Sequence, residues 1–315
     1  MSEQSLDRDG VRVGEPAGER DGWTGRARGA LSRAGSNARR IRHLVRDRNR
    51  RVAEQRPPLR PGHRPQDILA VLLFTVGIAV IVLDIPTYPW LASLPAEYRT
   101  AFTAITDFGK GHWILWTTGL YCLLTLPLDW DRLTWRVRMA LGTLWTFGAY
   151  IFVSVAASGI IVLILKWVLG RARPKLFEEV GPVHFVPMIF DHDYTSFPSG
   201  HSTTIAALAT TLALILPSFR WLIAVCAFWV AFSRIMVGAH YPSDVIAGTL
   251  LGMSVAVVCA RWMAYRRIGF ALDDQGVLRP IMSRISLRAC TRALWRAVTG
   301  RRAFVKPRAT SGDGR

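Results

Sequence analysis

Apolar residues fall into six long runs, at 67–85, 112–128, 140–169, 201–216, 221–237 and 243–265, with short polar segments between them. A membrane-spanning helix needs roughly 20 such residues. The pattern therefore predicts an all-α chain built as a six-transmembrane-helix bundle over 67–264. The third run is long enough to tilt or to project from the bilayer. The fourth and fifth are joined only by Pro217-Ser218-Phe219-Arg220, which predicts an antiparallel hairpin. Trp90, Trp113, Trp130, Trp135, Trp167, Trp221 and Trp262 sit near the predicted ends, where an aromatic belt belongs. No repeat of 20–50 residues is visible.

Outside the runs the chain is polar and basic. Of its 315 residues 40 are Lys or Arg and 22 are Asp or Glu, for a formal net charge of +18. In a soluble protein that balance would suggest nucleic acid as the partner. Here the arginines crowd residues 1–66 and 265–315 while the middle is apolar, so the pattern argues against nucleic acid and for a membrane protein with basic cytoplasmic tails. Residues 1–66 are rich in Arg, Gly, Pro and Glu and are expected to be mostly disordered. Within them Leu31, Ala34, Ala38, Ile41 and Val45 have helical spacing, suited either to an anionic membrane face or to a solvated basic tail. The second tail repeats the theme. Arg284, Arg288, Arg292 and Arg296 recur every four residues, which predicts an amphipathic helix at about 280–299 on anionic lipid. The polar start predicts no cleavable signal peptide, so the first run would serve as its own anchor. Cys122, Cys226, Cys259 and Cys290 have neither metal spacing nor a paired disulfide pattern.

Arginine placement also predicts orientation. With the N-terminal tail inside, Arg132, Arg136, Arg138, Arg220 and the C-terminal tail fall inside as well. Segments 86–111, 171–200 and 238–242 then lie outside. The middle one carries Arg171, Arg173 and Lys175 against the rule, as a segment that needs cations for its chemistry would.

That topology brings three polar clusters to one side of the membrane. Lys166 precedes Arg173-Pro174; Pro198-Ser199-Gly200-His201 opens the fourth run; Ser233-Arg234 precedes His240 and Asp244 at the junction of the fifth and sixth. Ionisable residues beside membrane helices are costly and tend to mark function. The chemistry they suit is phosphoryl transfer. Lys166, Arg173 and Arg234 supply fixed positive charge for phosphate oxygens. Ser199 offers a hydroxyl, and the N–H groups of Gly200 and His201 begin a helix whose dipole favours an anion. His240 is a nucleophile oriented by Asp244, four residues on. His201 is placed to protonate a leaving oxygen and then to activate water. Asp191, His192 and Asp193 form the rival ligand group, but no carboxylate cluster suggests the metal pair used by many phosphatases, so neither metal nor cofactor is expected.

Together, Lys166-x6-Arg173-Pro174, Pro198-Ser199-Gly200-His201 and Ser233-Arg234-x5-His240-x3-Asp244 resemble the three signature motifs of the type 2 phosphatidic acid phosphatase superfamily, in order and at every motif position. The resemblance covers Lys166 to Asp244 directly and the six-helix frame more loosely; the tails lie outside it. It implies a metal-independent lipid phosphatase with a phosphohistidine intermediate. By that carry-over His240 is the nucleophile, Asp244 its partner and His201 the general acid, while Lys166, Arg173, Ser199, Gly200 and Arg234 hold the phosphate. Arg171 and Lys175 stand beside the motif and are read as extra headgroup contacts. The expected setting is the bacterial inner membrane with the site on the periplasmic face and both termini cytoplasmic. Undecaprenyl diphosphate, phosphatidylglycerol phosphate, phosphatidate and lipid A are the candidate substrates, and the 175–197 loop is expected to select among them. Three alternatives share the motifs: a phosphotransferase using a polyprenyl diphosphate donor, a vanadium-dependent haloperoxidase, and a non-catalytic lipid binder.

Overall fold

The computed structural model describes residues 17–53 and 64–281. Helix α1 spans Ala17–Ala53. Helix α2, Pro65–Ala79, runs through a π turn at Val80–Asp84 straight into α3, Ile85–Ser93. Then come α4 (Ala96–Thr106), α5 (Gly111–Thr125), α6 (Trp135–Leu169), the single turn α7 (Phe177–Val180), α8 (Gly200–Ile215), α9 (Arg220–Met236) and α10 (Pro242–Tyr265). Strands β1 (Phe270–Leu272) and β2 (Leu278–Pro280) close the described chain as an antiparallel hairpin.

Each of the six apolar runs is helical. Among the described residues four helical stretches are long and apolar enough to cross a membrane: 65–93, 135–169, 217–236 and 242–265. Helices α5 and α8 have 15 and 16 residues, about 24 Å at most, and fall short of a full hydrocarbon core. The outward faces are apolar. Leu69, Leu73, Phe74, Ile81, Trp221 and Phe228 are all exposed, as lipid-facing side chains are.

Helices α8 and α10 pack closely at the centre, and two glycines set the distance. A Cβ on Gly248 would lie 2.4 Å from the Ser199 carbonyl oxygen, and one on Gly252 would lie 2.3 Å from that of Thr203. Only hydrogen fits at these crossings. Gly248→Ala is therefore expected to push α8 off α10 and to cost about 1–3 kcal/mol, as overpacking does. Because Ser199 sits at that contact, turnover is expected to fall as well, by up to about 100-fold for a displacement near 1 Å. Thermal unfolding and kcat of the variant in detergent check this; wild-type values for both would refute it.

Several sequence expectations are corrected. Most of 1–66 was expected to be disordered, but α1 covers 37 of those residues, including the 27–45 stretch. Alanine, arginine and leucine favour helix, and tertiary partners hold it. The chain just beyond α5 and α10 presents backbone carbonyls, and α1 donates to them. Asn37 Nδ2 donates to the carbonyls of Leu126 and Leu128 at 2.8 and 3.1 Å. Arg33 donates to that of Pro127 at 3.0 Å, and Arg48 to that of Arg267 at 2.7 Å. An apolar cavity of about 740 Å³ remains between α1 and the ends of α6 and α10, lined by Ile41, Leu44, Val45, Trp145, Val153 and Trp262 among others.

The segment 86–111, expected as an outer loop, is helical in α3 and α4 because its apolar side chains pack. Phe102, in α4, meets Trp229 and Phe232 of α9. The tail expected from 265 begins instead as a folded hairpin. Phe270 is fully buried against Phe147 and Tyr150 of α6, and Asp273 Oδ1 accepts from the N–H groups of Gln275 and Val277 to form its turn. The helix expected at 280–299 lies outside the described residues except for its start, and there Pro280 belongs to β2.

Candidate active site

Three helix ends and one loop build the site. Helix α6 ends at Gly170, whose φ of +60° is the left-handed cap that glycine favours. A Cβ there would lie 1.8 Å from the Val186 carbonyl oxygen, so the chain turns at this point only with glycine. The turn leaves Lys166 on the last helical turn and sends Arg171 and Arg173 back across the bundle end. Ser199 caps α8, accepting from Ser202 N at 3.5 Å and from Ser202 Oγ at 2.9 Å. Pro242 starts α10, where its missing N–H costs nothing. Asp244 Oδ2 reaches back to accept from Tyr241 N at 3.0 Å.

The structure brings the residues singled out from the sequence together. Lys166 Nζ donates to the Thr195 carbonyl, and Arg173 Nη2 donates to Thr195 Oγ1 at 3.3 Å, so both cations meet at one residue. Gly200 lies against the Lys166 side chain. Ser199 N donates to the Asp244 carbonyl at 3.0 Å, tying the start of α8 to α10. His240 lies close enough to Lys166, Arg234 and Asp244 to interact with each electrostatically, and His201 lies likewise near Arg234, Lys110 and Lys166. Arg234 Nη1 donates to Thr106 Oγ1 at 2.8 Å, which anchors it from α4. Gly109, just beyond α4, packs directly on His201: a Cβ there would lie 3.0 Å from the histidine Cβ. Burial pushes the His240 imidazole down to about 3, with the nearby Asp244 carboxylate opposing that shift. It is therefore a neutral base at physiological pH.

Two expectations about this region are corrected. Asp244 does not hydrogen-bond His240: Nδ1 is 3.6 Å from Oδ2 and has no hydrogen-bond partner. The carboxylate is occupied by other donors. Arg171 Nη1 donates to Oδ1 at 2.6 Å, and Ser196 Oγ donates to Oδ2 at 2.6 Å beside the Tyr241 N–H. Arg171 itself is not a headgroup contact. Its side chain is 1% exposed, while Lys175 is 56% exposed and pairs with Asp193. The Arg171 guanidinium also donates to Asp84 Oδ2 at 2.7 Å, to Ser243 Oγ at 2.6 Å and to the Pro182 carbonyl, and it lies 4.5 Å from the centre of the Tyr241 ring. Sequence reasoning missed Asp84. Its one signal was an acid inside the first apolar run, which is costly in hydrocarbon.

The rival group at 191–193 is engaged in loop structure. Asp191 Oδ1 accepts from Asp193 N at 3.0 Å. The Lys175 ammonium beside Asp193 holds that carboxyl below the usual range. The 175–197 loop is folded rather than open: Arg171 bridges to Phe185, and Phe177 stacks on Tyr88 of α3 at 4.4 Å between ring centres.

Comparison with known proteins places the chain among relatives of one family. The family model of the PAP2 superfamily matches residues 147–268. The chain is 36% identical over 230 residues to a lipid A 1-phosphatase of Rhizobium johnstonii, covering 72% of this chain and 91% of that one. It is 48% identical over 170 residues to a decaprenylphosphoryl-5-phosphoribose phosphatase of Mycobacterium tuberculosis, covering 53% and 81%. An undecaprenyl-diphosphatase of Sulfolobus acidocaldarius matches 106 residues at 37% identity, covering 32% and 49%.

Proposed function

The chain belongs to the PAP2 superfamily as a multi-pass membrane lipid phosphatase, and on that premise we propose that it removes phosphate from a lipid phosphate monoester or diphosphate through a phosphohistidine at His240, with no metal. The observation that carries the mechanism is the environment of His240: buried, neutral, with Asp244 Oδ2 3.6 Å from Nδ1 and the Lys166 and Arg234 cations nearby.

His240 Nδ1 faces Asp244, which leaves Nε2 to attack phosphorus. The P–N bond forms as the bond from phosphorus to the lipid oxygen breaks, and His201 gives that oxygen its proton. Water then attacks phosphorus, His201 takes the water's proton, the P–N bond breaks and inorganic phosphate leaves. Lys166, Arg173, Arg234 and the N–H groups opening α8 hold the phosphoryl oxygens, whose charge is best balanced in the transition state. Asp244 supports the imidazolium that develops on His240.

The test is phosphate release by purified protein, with no lipid acceptor added. The panel is lipid A, decaprenylphosphoryl-5-phosphoribose, undecaprenyl diphosphate, phosphatidylglycerol phosphate and phosphatidate. Lipid A and the phosphoribose lipid come first, because the relatives named for them match over most of their length. Release is expected to persist in EDTA and to be inhibited by orthovanadate, a mimic of the pentacoordinate transition state. Release only on addition of an acceptor lipid would favour the transferase reading, and loss in EDTA restored by magnesium would end the metal-free one.

We assign the site to the outer face of the cytoplasmic membrane, with six spans and both termini inside. Arg132, Arg136, Arg138, Arg220 and the arginines of α1 fall at the opposite end of the chain's alternation. In a cysteine-free background, Val183→Cys is expected to react with an impermeant thiol reagent in intact spheroplasts, and Leu31→Cys is not. Both positions are exposed. The reverse pattern would invert the topology.

A further inference from the structure

Two carboxylates share one guanidinium beneath His240. Arg171 Nη2 donates to Asp84 Oδ2 at 2.7 Å and Nη1 to Asp244 Oδ1 at 2.6 Å, with Arg171 1% exposed and both acids fully buried. Ser243 links them further. Its hydroxyl accepts from Arg171 Nη1 and donates to Asp84 Oδ2 at 2.6 Å, and its N–H donates to Asp84 Oδ1 at 3.0 Å. Asp84 is an acceptor in all three of its contacts, from Arg171 Nη2, the Ser243 hydroxyl and the Ser243 N–H, the pattern of an ionised carboxylate. Two carboxylates against one guanidinium leave the cluster with one net negative charge.

Neutralising Asp244 would have required Arg171 alone. A second buried acid in a membrane span is costly, and the fold goes out of its way to place it. Pro86 has no N–H to give the preceding turn, and the chain widens into a π turn there. Asp84 alone of its neighbours points inward: Ile81, Val82, Leu83 and Ile85 are all exposed.

We propose that Asp84 is a positioning residue for phosphoryl transfer. It takes a share of the Arg171 charge, so that Asp244 keeps negative charge for His240. This rests on the reading that His240 attacks phosphorus. When Nε2 bonds to phosphorus, the imidazole becomes cationic and its Nδ1–H needs an acceptor. Asp244 Oδ2, 3.6 Å away, is that acceptor. With Asp84 neutral, Arg171 and Asp244 would form a closed neutral pair and the developing cation would lose its counter-charge. The first span thereby contributes to a site whose three motifs all lie more than eighty residues further along the chain.

The experiment compares full-length wild type, Asp84→Asn and the pair Asp84→Asn/Arg171→Gln in detergent, on the panel lipid that wild type turns over, carrying a radiolabelled phosphate. Readouts are kcat, KM and acid-labile phosphohistidine trapped during turnover. Asp84→Asn is expected to lower kcat and trapped phosphohistidine by about 10-fold to 100-fold, the scale on which a residue behind the direct contacts acts, with KM little changed. The pair returns the cluster to one net negative charge, and its kcat is expected to exceed that of Asp84→Asn. Wild-type kcat in Asp84→Asn, or a rise in KM alone, overturns the proposal, as does a pair no faster than the single variant. Should Asp84→Asn not fold, the pair is read against wild type: kcat within about tenfold supports the proposal, and a larger loss overturns it. Wild type that turns over substrate without phosphohistidine overturns the histidine mechanism and this inference together. Phosphohistidine in wild type with equal amounts in Asp84→Asn overturns this inference alone.

Discussion

His240→Ala is expected to lower phosphate release by roughly 1,000-fold or more while the protein still folds, because it removes the atom that forms the covalent intermediate. His240 is buried beside Asp244 without a hydrogen bond on Nδ1, so its removal strands no donor. His240→Asn keeps a polar side chain of lesser volume and is expected to be equally inactive. Asp244→Asn, on sequence grounds the milder change, also disturbs the Arg171 ion pair and is expected to lose folded yield. Because burial pushes the His240 imidazole down to about 3, it stays unprotonated and nucleophilic as pH falls from 7 to 5. Protonation of His240 is therefore expected to give no acid limb in kcat/KM between pH 7 and 5, read from a pH profile of phosphate release. Phosphate release by His240→Ala above a few per cent of wild type would sink the covalent mechanism.

Arg171→Met is expected to cost about 3–5 kcal/mol of stability, the scale for removing one partner of a buried ion pair, and here one removal strands two acids. Native stabilities are only about 5–15 kcal/mol, so much of the folded state is at stake. The shift in thermal midpoint is expected to be about 10 °C, read in detergent by loss of monodisperse protein on heating. Arg171→Lys is not expected to rescue it. A lysine is a point charge on a flexible stem, whereas the guanidinium reaches Asp84, Asp244, Ser243 and the Pro182 carbonyl from one plane. A midpoint within about 2 °C of wild type would show that the cluster tolerates its two acids unaided.

What was legible in the sequence was local. Lys166, Arg173, Ser199, Gly200, His201, Arg234, His240 and Asp244 each stand at a helix end or turn that nearby residues announce: Gly170 stops α6, Ser199 caps α8, Pro242 starts α10. Helical runs were legible too, since apolar composition over 15 or more residues sets them. The cluster behind His240 was not. Asp84 and Arg171 are 87 residues apart, and nothing local tells an arginine that will be buried from one that will face headgroups. Arg171 and Lys175 read alike from the sequence, yet one is the centre of the cluster and the other a surface ion pair. The same holds for α1. Its arginines read as facing either anionic lipid or solvent, because their partners are backbone carbonyls, which no sequence pattern displays.

Those partners also give α1 a place in time. Arg33 waits for a carbonyl 94 residues later in the chain, and Arg48 for one 219 residues later. At synthesis rates of about 5–20 residues per second, the second partner emerges roughly 10–40 s after Arg48 itself. Until then α1 has only the carbonyls at 126–128 to donate to, and the cavity beside its apolar stripe lacks the α10 wall. Helix α1 is thus made long before it is fully fastened, and its Arg48 contact requires that α10 has already been inserted and has turned back at 266–267.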